Sequence, residues 1–206
     1  MKSKIHELKN LFNKGVSKKT IIICAIALGA VAFKLADATW TMDKAHSKLG
    51  FSITHLMISD VEGSFKTFEV KLTTSKEDFS DAVVEMTSDV STINTDNEQR
   101  DTHLKSADFF DAAKYPKITF KSKSFKKTED KKYKVTGDLT MHGITKAIEL
   151  DAIGIIIEHP MSKKTVGGFK ISGKIKRSDF GIGSSMGEAI LSDEVIINAN
   201  AEFSKN

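Results

Sequence analysis

Apolar and polar residues alternate with a period of two along most of the chain after residue 39. Eight runs show this alternation, at residues 49–55, 68–72, 84–90, 118–122, 133–139, 148–157, 169–175 and 195–203. Because successive side chains of a strand point to opposite faces, each run predicts a strand with one buried and one solvated face. Brief turn segments separate most neighbouring runs. The pattern predicts an all-β protein, an eight-stranded antiparallel barrel, since closure removes exposed strand edges.

One segment, residues 97–113, lacks this alternation. It contains Arg100 together with acids, Lys105 and two adjacent phenylalanines. We predict short helical turns here, in a crossover between strands four and five. The segment could close one mouth of the barrel and offer hydrogen bonds to a polar head group. Alternatively, it is a solvated crossover with helix caps at Ser106 and Asp108.

The N-terminal segment differs from the rest in composition. Residues 1–20 carry six lysines and one acid, residues 21–33 form an apolar run of 13 residues, and Ala36-Asp37-Ala38 ends the segment. A basic region, a short apolar run and small residues at the −3 and −1 positions make up a secretory signal peptide. We predict a cleaved signal peptide over residues 1–38 and an exported, periplasmic domain over residues 39–206. An uncleaved membrane anchor is the alternative, although a spanning helix needs about 20 apolar residues.

Charge and cysteine content exclude several functions for the exported domain. Residues 1–38 contain seven of the 31 basic and two of the 27 acidic side chains, so residues 39–206 have a net charge of −1. Such a balance does not favour a nucleic-acid partner. The single cysteine, Cys24, lies in the leader, which excludes a thiol nucleophile and Cys-ligated zinc beyond it. The histidines show no local zinc-binding spacing, and we predict no cofactor or metal.

The aromatic residues are mostly phenylalanine. Thirteen phenylalanines accompany two tyrosines and one tryptophan, and seven of these phenylalanines fall in or beside predicted strands. One interpretation is an ordinary core, because aromatic residues fill small barrels. The other is a cavity lined with rings, because an eight-stranded barrel has room for one small ligand. Periodicity leaves both interpretations open.

Several motifs, spread in order over residues 39–204, point to one protein family. They are Asp43-Lys44-Ala45-His46-Ser47 with Phe51 and His55, Gly63-Ser64-Phe65, residues 100–111, Tyr115-Pro116, residues 137–145, Gly168-Phe169 and residues 175–182. In these motifs the chain resembles the YceI-like family of lipocalin-like, polyisoprenoid-binding proteins. The resemblance implies an extended eight-stranded antiparallel barrel whose apolar tunnel holds a long isoprenoid or a similar amphiphile. It also implies export to the periplasm.

We therefore predict a binding protein, not an enzyme, that carries or sequesters a polyisoprenoid or other long-chain amphiphilic lipid. Burial of the chain would supply affinity, and a polar mouth would fix which end enters. One alternative is a metal-dependent or lipid-modifying enzyme that uses histidines and aspartates near the mouth. Another is a structural barrel with a filled interior. We expect no stable membrane insertion of the exported domain, and a homodimer is left open.

The predicted ligand-binding residues are the polar side chains of the motifs and the rings expected to face inward. They are Arg100, Asp101, His103, His46, His142, Phe51, Phe65, Phe120 and Phe169. Arg100 ranks first because its guanidinium stays charged and offers five donors to a head group. A competing role for Arg100 is a buried ion pair with Asp101 or Asp108 that ties the crossover to the barrel.

Overall fold

The structure is a computed structural model that describes residues 38–206. The predicted signal peptide therefore lies outside the described residues, except for its last residue. The strands are β1 (Ala38–His55), β2 (Ser59–Phe65), β3 (Phe68–Thr74), β4 (Val83–Asp89), β5 (Ile93–Asn94), β6 (Lys117–Glu129), β7 (Lys132–Met141), β8 (Ile144–Glu158), β9 (Thr165–Lys176) and β10 (Leu191–Lys205). Helix α1 spans Glu98–Leu104, and two 3-10 turns span Val90–Thr92 and Ser178–Phe180.

The strands form one closed antiparallel barrel. Their order is β10-β9-β8-β7-β6-β4-β3-β1-β2-β5, and β10 also pairs with β1. β2 pairs with the second half of β1 and β3 with its first residues, so these two short strands together form one strand of the wall. The wall thus has eight strands, to which the two-residue β5 adds at the edge of β2. The predicted all-β barrel is confirmed.

Seven of the predicted runs fall within a strand, and the eighth, 84–90, extends one residue past β4 into the 3-10 turn at Val90. β2 was not predicted. Its sequence, from Ser59 to Phe65, offers Val61 and Phe65 as its only large apolar residues, and Gly63 and Ser64 stand between them. β1 also begins well before its run at 49–55. The pattern misses this first part because a bulge between Asp43 and Lys48 interrupts the register of β1 with β10. Irregular pairing and small residues hide a strand from a period-two pattern.

The two ends of the barrel differ in what covers them. The lower end has the first residue of β1, the last of β10 and the turns at 75–82, 130–131 and 159–164. The upper end has the turns at 56–58 and 142–143, the crossover at 95–116 and the segment 177–190. Among the described residues, 38–206, no helix has the length and apolar character that crossing a membrane requires.

The crossover contains the predicted helix. In chain order α1 follows β5 and leads into β6. Asn97 caps it, since the Asn97 Oδ1 atom accepts a hydrogen bond of 2.9 Å from the backbone N–H of Arg100. The alternative caps at Ser106 and Asp108 are wrong, because both residues lie beyond the end of the helix.

Candidate functional site

The barrel encloses a cavity of about 480 Å³. Inward-facing residues of the strands line it, such as Val195, Ile197 and Ala199 of β10, with Phe51, Phe65, Phe120 and Phe169 among the rings. Its volume lies within the range of about 300–1,000 Å³ that is usual for small-molecule sites. The interior is therefore partly hollow, which distinguishes it from an ordinary filled core.

An aromatic cluster closes the cavity at the lower end. The Phe169 ring stands edge-on to Phe79 with centroids 5.0 Å apart and edge-on to Phe125 at 5.8 Å. Phe79 in turn packs against Trp40 at 5.0 Å. Phe125 and Phe169 line the cavity, whereas Trp40 and Phe79 lie beneath it and are almost fully buried. The predicted tunnel is thus a blind cavity with a packed floor.

Glycines on neighbouring strands position three of the predicted rings. Phe51 lies over Gly63, its cross-strand partner, and Phe169 has the same relationship to Gly154. Phe120 lies over Gly137 on β7. A methyl group at any of these glycines would overlap the ring, so the absence of a side chain lets each ring lie against the wall. This packing sets the width of the cavity.

The cavity opens at the upper end of the barrel. Four lining residues at this end, His55, Arg100, His103 and Ile190, are also exposed to solvent. The rest of the lining is almost entirely apolar. A polar rim around an apolar interior is the arrangement that binds an amphiphile with its tail inside.

A hydrogen-bonded relay holds Arg100 at this opening. The Arg100 Nε atom donates to Thr95 Oγ1 at 2.8 Å, and Arg100 Nη2 donates to the Thr95 carbonyl at 2.7 Å. Thr95 Oγ1 donates in turn to Asp101 Oδ1 at 2.6 Å. Asp101 is buried behind Thr95 and does not line the cavity. Among the described residues, Arg100 forms no ion pair with Asp101 or Asp108.

His103 stands beside Arg100 on α1 and also lines the opening. Its ring lies edge-on to Phe109 with centroids 4.9 Å apart, and its Nε2 atom is 3.6 Å from Asp108 Oδ2. The distance to the carboxylate is longer than a hydrogen bond. His103 therefore keeps a ring nitrogen accessible near the mouth.

The structure does not bring His142 or His46 to the cavity. The Nδ1 atom of His142 lies 2.9 Å from the Phe180 carbonyl, and its ring packs against Tyr115, so it joins two turns of the upper end. His46 lies on the outer surface, in the bulge of β1, with Nδ1 2.9 Å from Asp43 Oδ2. This hydrogen bond lowers the pKa of Asp43 and raises that of His46. Glu202 approaches the same pair.

Arg177 is a functional candidate that the sequence analysis did not select. It is buried, with 6% of its surface exposed, and it lines the cavity near the mouth. Its five N–H groups donate to five backbone carbonyls, at Ser192, Ile182, Gly183, Met186 and Leu191, over distances of 2.6–3.1 Å. Arg177 therefore fastens the segment 177–191 over the barrel. Its position in the motif at 175–182 was the available signal.

Asp193 compensates part of the charge of Arg177. Its carboxylate accepts hydrogen bonds from the Ser178 backbone N–H at 2.9 Å and from the Ser178 hydroxyl at 2.8 Å. Burial raises the pKa of Asp193, but these hydrogen bonds and the nearby Arg177 outweigh burial and keep it below the usual value. A charged carboxylate thus supports the loop that carries one side of the mouth.

The closed barrel, its single-ended apolar cavity and its polar rim define a small binding barrel of the lipocalin-like kind. The model of the YceI-like domain matches residues 40–203. This chain belongs to the YceI-like family.

Similar proteins support this assignment. A UPF0312 protein of Staphylococcus aureus strain N315 is 42% identical over 170 residues, which cover 80% of this chain and 96% of that protein. The crystal structure of a Campylobacter jejuni YCEI protein is 36% identical with a TM-score of 0.66, over 81% of this chain and 97% of that one. A polyisoprenoid binding domain from Saccharophagus degradans is 17% identical with a TM-score of 0.56, over 84% and 100% of the two chains, and shows a shared fold alone.

Proposed function

We propose that this chain binds the apolar tail of one long-chain amphiphile, of the polyisoprenoid class, in the barrel cavity. The observation that carries the proposal is an apolar cavity of about 480 Å³ that ends on a floor of rings and opens beside Arg100 and His103. An apolar chain gains free energy when it leaves water, at about 0.8 kcal/mol per CH₂ group. Because the cavity has one opening, the ligand gains this free energy only when its tail enters first. The polar end of the ligand then stays at the rim.

The cavity volume limits the part of the ligand that is buried. If a CH₂ group occupies about as much space as a water molecule, roughly 30 Å³, the cavity holds roughly sixteen such groups, or about three isoprene units. A longer chain would extend through the mouth. After ordering costs, we expect a Kd in the micromolar range for a tail of this size.

Arg100 is the residue we propose for contact with the head group. Its hydrogen bonds to Thr95 use two of its five N–H groups, and the guanidinium lines the open end of the cavity. His103 offers a ring nitrogen beside it. Asp101 acts through Thr95 and is a positioning residue. Phe51, Phe65, Phe120 and Phe169 would contact the tail.

Binding is favoured over catalysis by the residues at the cavity. The polar lining residues that the structure places there are His55, Thr95, Arg100, His103, Arg177 and Asn200. This set contains no carboxylate of the kind that general acid–base chemistry or a hydrolytic metal site adds to histidine, since Asp108, 3.6 Å from His103, does not line the cavity. The domain from Saccharophagus degradans is described as polyisoprenoid binding. That domain shares only the fold with this chain, and the apolar cavity of this chain is what supports the same ligand class here.

We also propose that the protein acts after export, with the leader removed before Thr39. The basic segment, the apolar run at 21–33 and the small residues Ala36 and Ala38 support this proposal. N-terminal sequencing of the protein recovered from its native cells tests it. We expect a chain that starts at Thr39, whereas a chain that keeps Met1 would indicate a membrane-anchored protein.

The ligand proposal is tested by titrating the barrel with geranylgeraniol, a four-unit isoprenoid. Phe120→Leu removes ring area from the cavity wall, so we expect binding to weaken about tenfold while the circular dichroism spectrum stays unchanged. Phe180→Leu is the matched control, because Phe180 is 1% exposed but does not line the cavity. Equal binding by both variants and the unchanged protein would contradict a tail site at Phe120.

A further inference from the structure

An exposed apolar surface stands at the upper end of the barrel. The turn between β1 and β2 presents Leu56, Met57 and Ile58 with 47%, 78% and 83% of their surface exposed, and Ile190 beside them is 48% exposed. The backbone N–H of Leu56 donates to the Ile190 carbonyl at 2.9 Å, which joins the two segments. We refer to these four residues as the apolar tip. Large apolar side chains exposed together mark an interaction surface.

The turn fixes the apolar tip in place. Leu56 and Met57 have φ angles of +52° and +56°, a left-handed conformation that is uncommon for bulky residues. The backbone N–H of Ile58 donates to the His55 carbonyl at 3.0 Å and closes the turn. A strained conformation at a ligand-binding end of a fold is typical of functional turns.

The apolar tip is continuous with the mouth of the cavity. Ile190 belongs both to the tip and to the cavity lining, and His55 and Val61, which flank the turn, also line the cavity. An apolar surface therefore runs from the tip into the barrel interior without a polar break at Ile190. A chain that leaves an apolar phase at the tip would enter the cavity along this surface.

The charges around the apolar tip indicate which surface it contacts. No lysine or arginine occurs between Lys48 and Lys66, whereas Asp60, Glu62 and Glu188 lie exposed near the turn. The turn itself therefore offers no basic residue for attraction to an anionic surface. Leu, Met and Ile side chains instead match the boundary between head groups and acyl chains of a bilayer.

We propose that the apolar tip inserts into the interface of a lipid bilayer and that the cavity takes up its ligand directly from that bilayer. The inference rests on the proposed lipid-binding function and specifies where the ligand is collected. Insertion of the turn places the mouth at the depth of the lipid tails, so the tail does not cross water during transfer.

The test compares loading from vesicles with loading from detergent. It uses residues 38–206, because the barrel closes within them and the part of the crystallised Campylobacter jejuni chain that matches this protein makes up 97% of that folded chain. The test variant is Met57→Ser with Ile58→Ser. The matched control is Met161→Ser, which removes a side chain that is 85% exposed on a turn of the lower end.

With phosphatidylcholine vesicles that contain geranylgeraniol, we expect the double variant to load about tenfold more slowly and to float with vesicles less than the unchanged barrel. Met161→Ser should match the unchanged barrel. All three proteins should reach the same occupancy when geranylgeraniol is delivered from detergent.

The outcomes separate the two proposals. Equal vesicle loading and flotation by the double variant and the control would overturn the role of the apolar tip, and normal loading from detergent would leave the binding function intact. If the unchanged barrel takes up no geranylgeraniol from vesicles or detergent, the proposed binding function is wrong. The contact of the apolar tip with the bilayer is then tested by comparing the flotation of the double variant with that of the unchanged barrel. If the double variant instead converts a dimer to a monomer in sedimentation velocity, the tip is an interface between copies and the proposal is wrong.

Discussion

The ring of Phe51 lies over Gly63, its antiparallel partner on the neighbouring strand. A ring can lie flat against a strand only where the facing residue lacks a side chain, so Gly63 determines how far Phe51 projects into the cavity. A Cβ atom at Gly63 would also come within 2.9 Å of Thr95 Cγ2. Gly63 thus influences both the width of the cavity and the residue that holds Arg100.

We predict that Gly63→Ala narrows the cavity. The added methyl group pushes the Phe51 ring inward, at a cost of about 1–3 kcal/mol in the free energy of unfolding. Geranylgeraniol affinity should fall as well. Gly168→Ala is the control, since a Cβ atom there would have no neighbour within 4 Å. Thermal unfolding and titration check the prediction, and identical results for the two variants would contradict it.

We predict that Arg100→Lys weakens head-group binding more than it destabilises the barrel. Lysine keeps the charge but loses the planar fork that bonds Thr95 twice. Residues 95 and 100 lie in the same crossover, so the lost contacts are local and should cost about 1 kcal/mol. Affinity for geranylgeranyl phosphate should fall about tenfold.

Thr95→Val provides the companion variant for Arg100, because it removes the hydroxyl to which Arg100 Nε donates. Like Arg100→Lys, Thr95→Val should lower the affinity for geranylgeranyl phosphate. If Arg100→Lys instead lowers the melting temperature of the lipid-free barrel by several degrees and binding is normal, Arg100 is part of the scaffold.

We predict that Arg177→Met strongly destabilises the protein. The substitution leaves five backbone carbonyls without this donor. The hydrogen bonds to Ile182 and Gly183 are buried and the other three are part-buried, so their loss should cost about 3–5 kcal/mol. The control is Lys174→Met, which removes an exposed ion pair with Glu194 and should cost at most about 1 kcal/mol. Urea unfolding measures both values. If Arg177→Met lowers the free energy of unfolding as little as the control does, Arg177 does not fasten the segment 177–191.

We predict that Asp81 makes stability depend on acid pH. Burial raises its pKa, but hydrogen bonds from Ser75, Thr74 and the Lys76 backbone N–H outweigh burial and lower the pKa to about 2. Because the folded-state pKa lies below the usual value of about 3.9, the stabilisation is complete above pH 4 and is lost as pH falls towards 2.

Asp81→Asn should therefore lower the free energy of unfolding by about 1–2 kcal/mol at pH 7 and reduce its slope between pH 4 and pH 2. Asp151→Asn serves as the control, because that carboxylate is exposed and its ion pair within residues 38–206 is with Lys134. Urea unfolding across this pH range checks the prediction. If the free energy of unfolding of Asp81→Asn depends on pH as steeply as that of the unchanged protein, Asp81 is not the source of this pH dependence.

The sequence predicted most of the wall but only part of the site. Alternation along β10, from Val195 to Phe203, reports which side chains face inward, yet it does not report whether the interior is filled. The aromatic floor of the cavity could not be predicted, because it is formed by contacts between residues distant in sequence, such as Phe79 and Phe169. The segment around Arg100 was predicted correctly as a crossover with a short helix, while its place at a mouth of the barrel was one of two alternatives.

The histidines show why motif membership does not give position. His46 belongs to a motif of the family, but the bulge in β1 turns it to the outer surface. Asp101 is adjacent to Arg100 in sequence, yet the helix directs it inward to Thr95. Arg177 was overlooked because its guanidinium donates to backbone carbonyls. Every residue has a backbone carbonyl, so no particular residue type in the sequence marks these partners.

The most direct test of the lipid-binding account is native mass spectrometry of the protein recovered from its own cells, followed by solvent extraction. The account predicts a complex of one barrel with one amphiphile that carries an isoprenoid chain, released on extraction and rebound by the stripped barrel. A protein that carries the mass of its polypeptide alone, with no lipid in the extract and no uptake of geranylgeraniol, would contradict it.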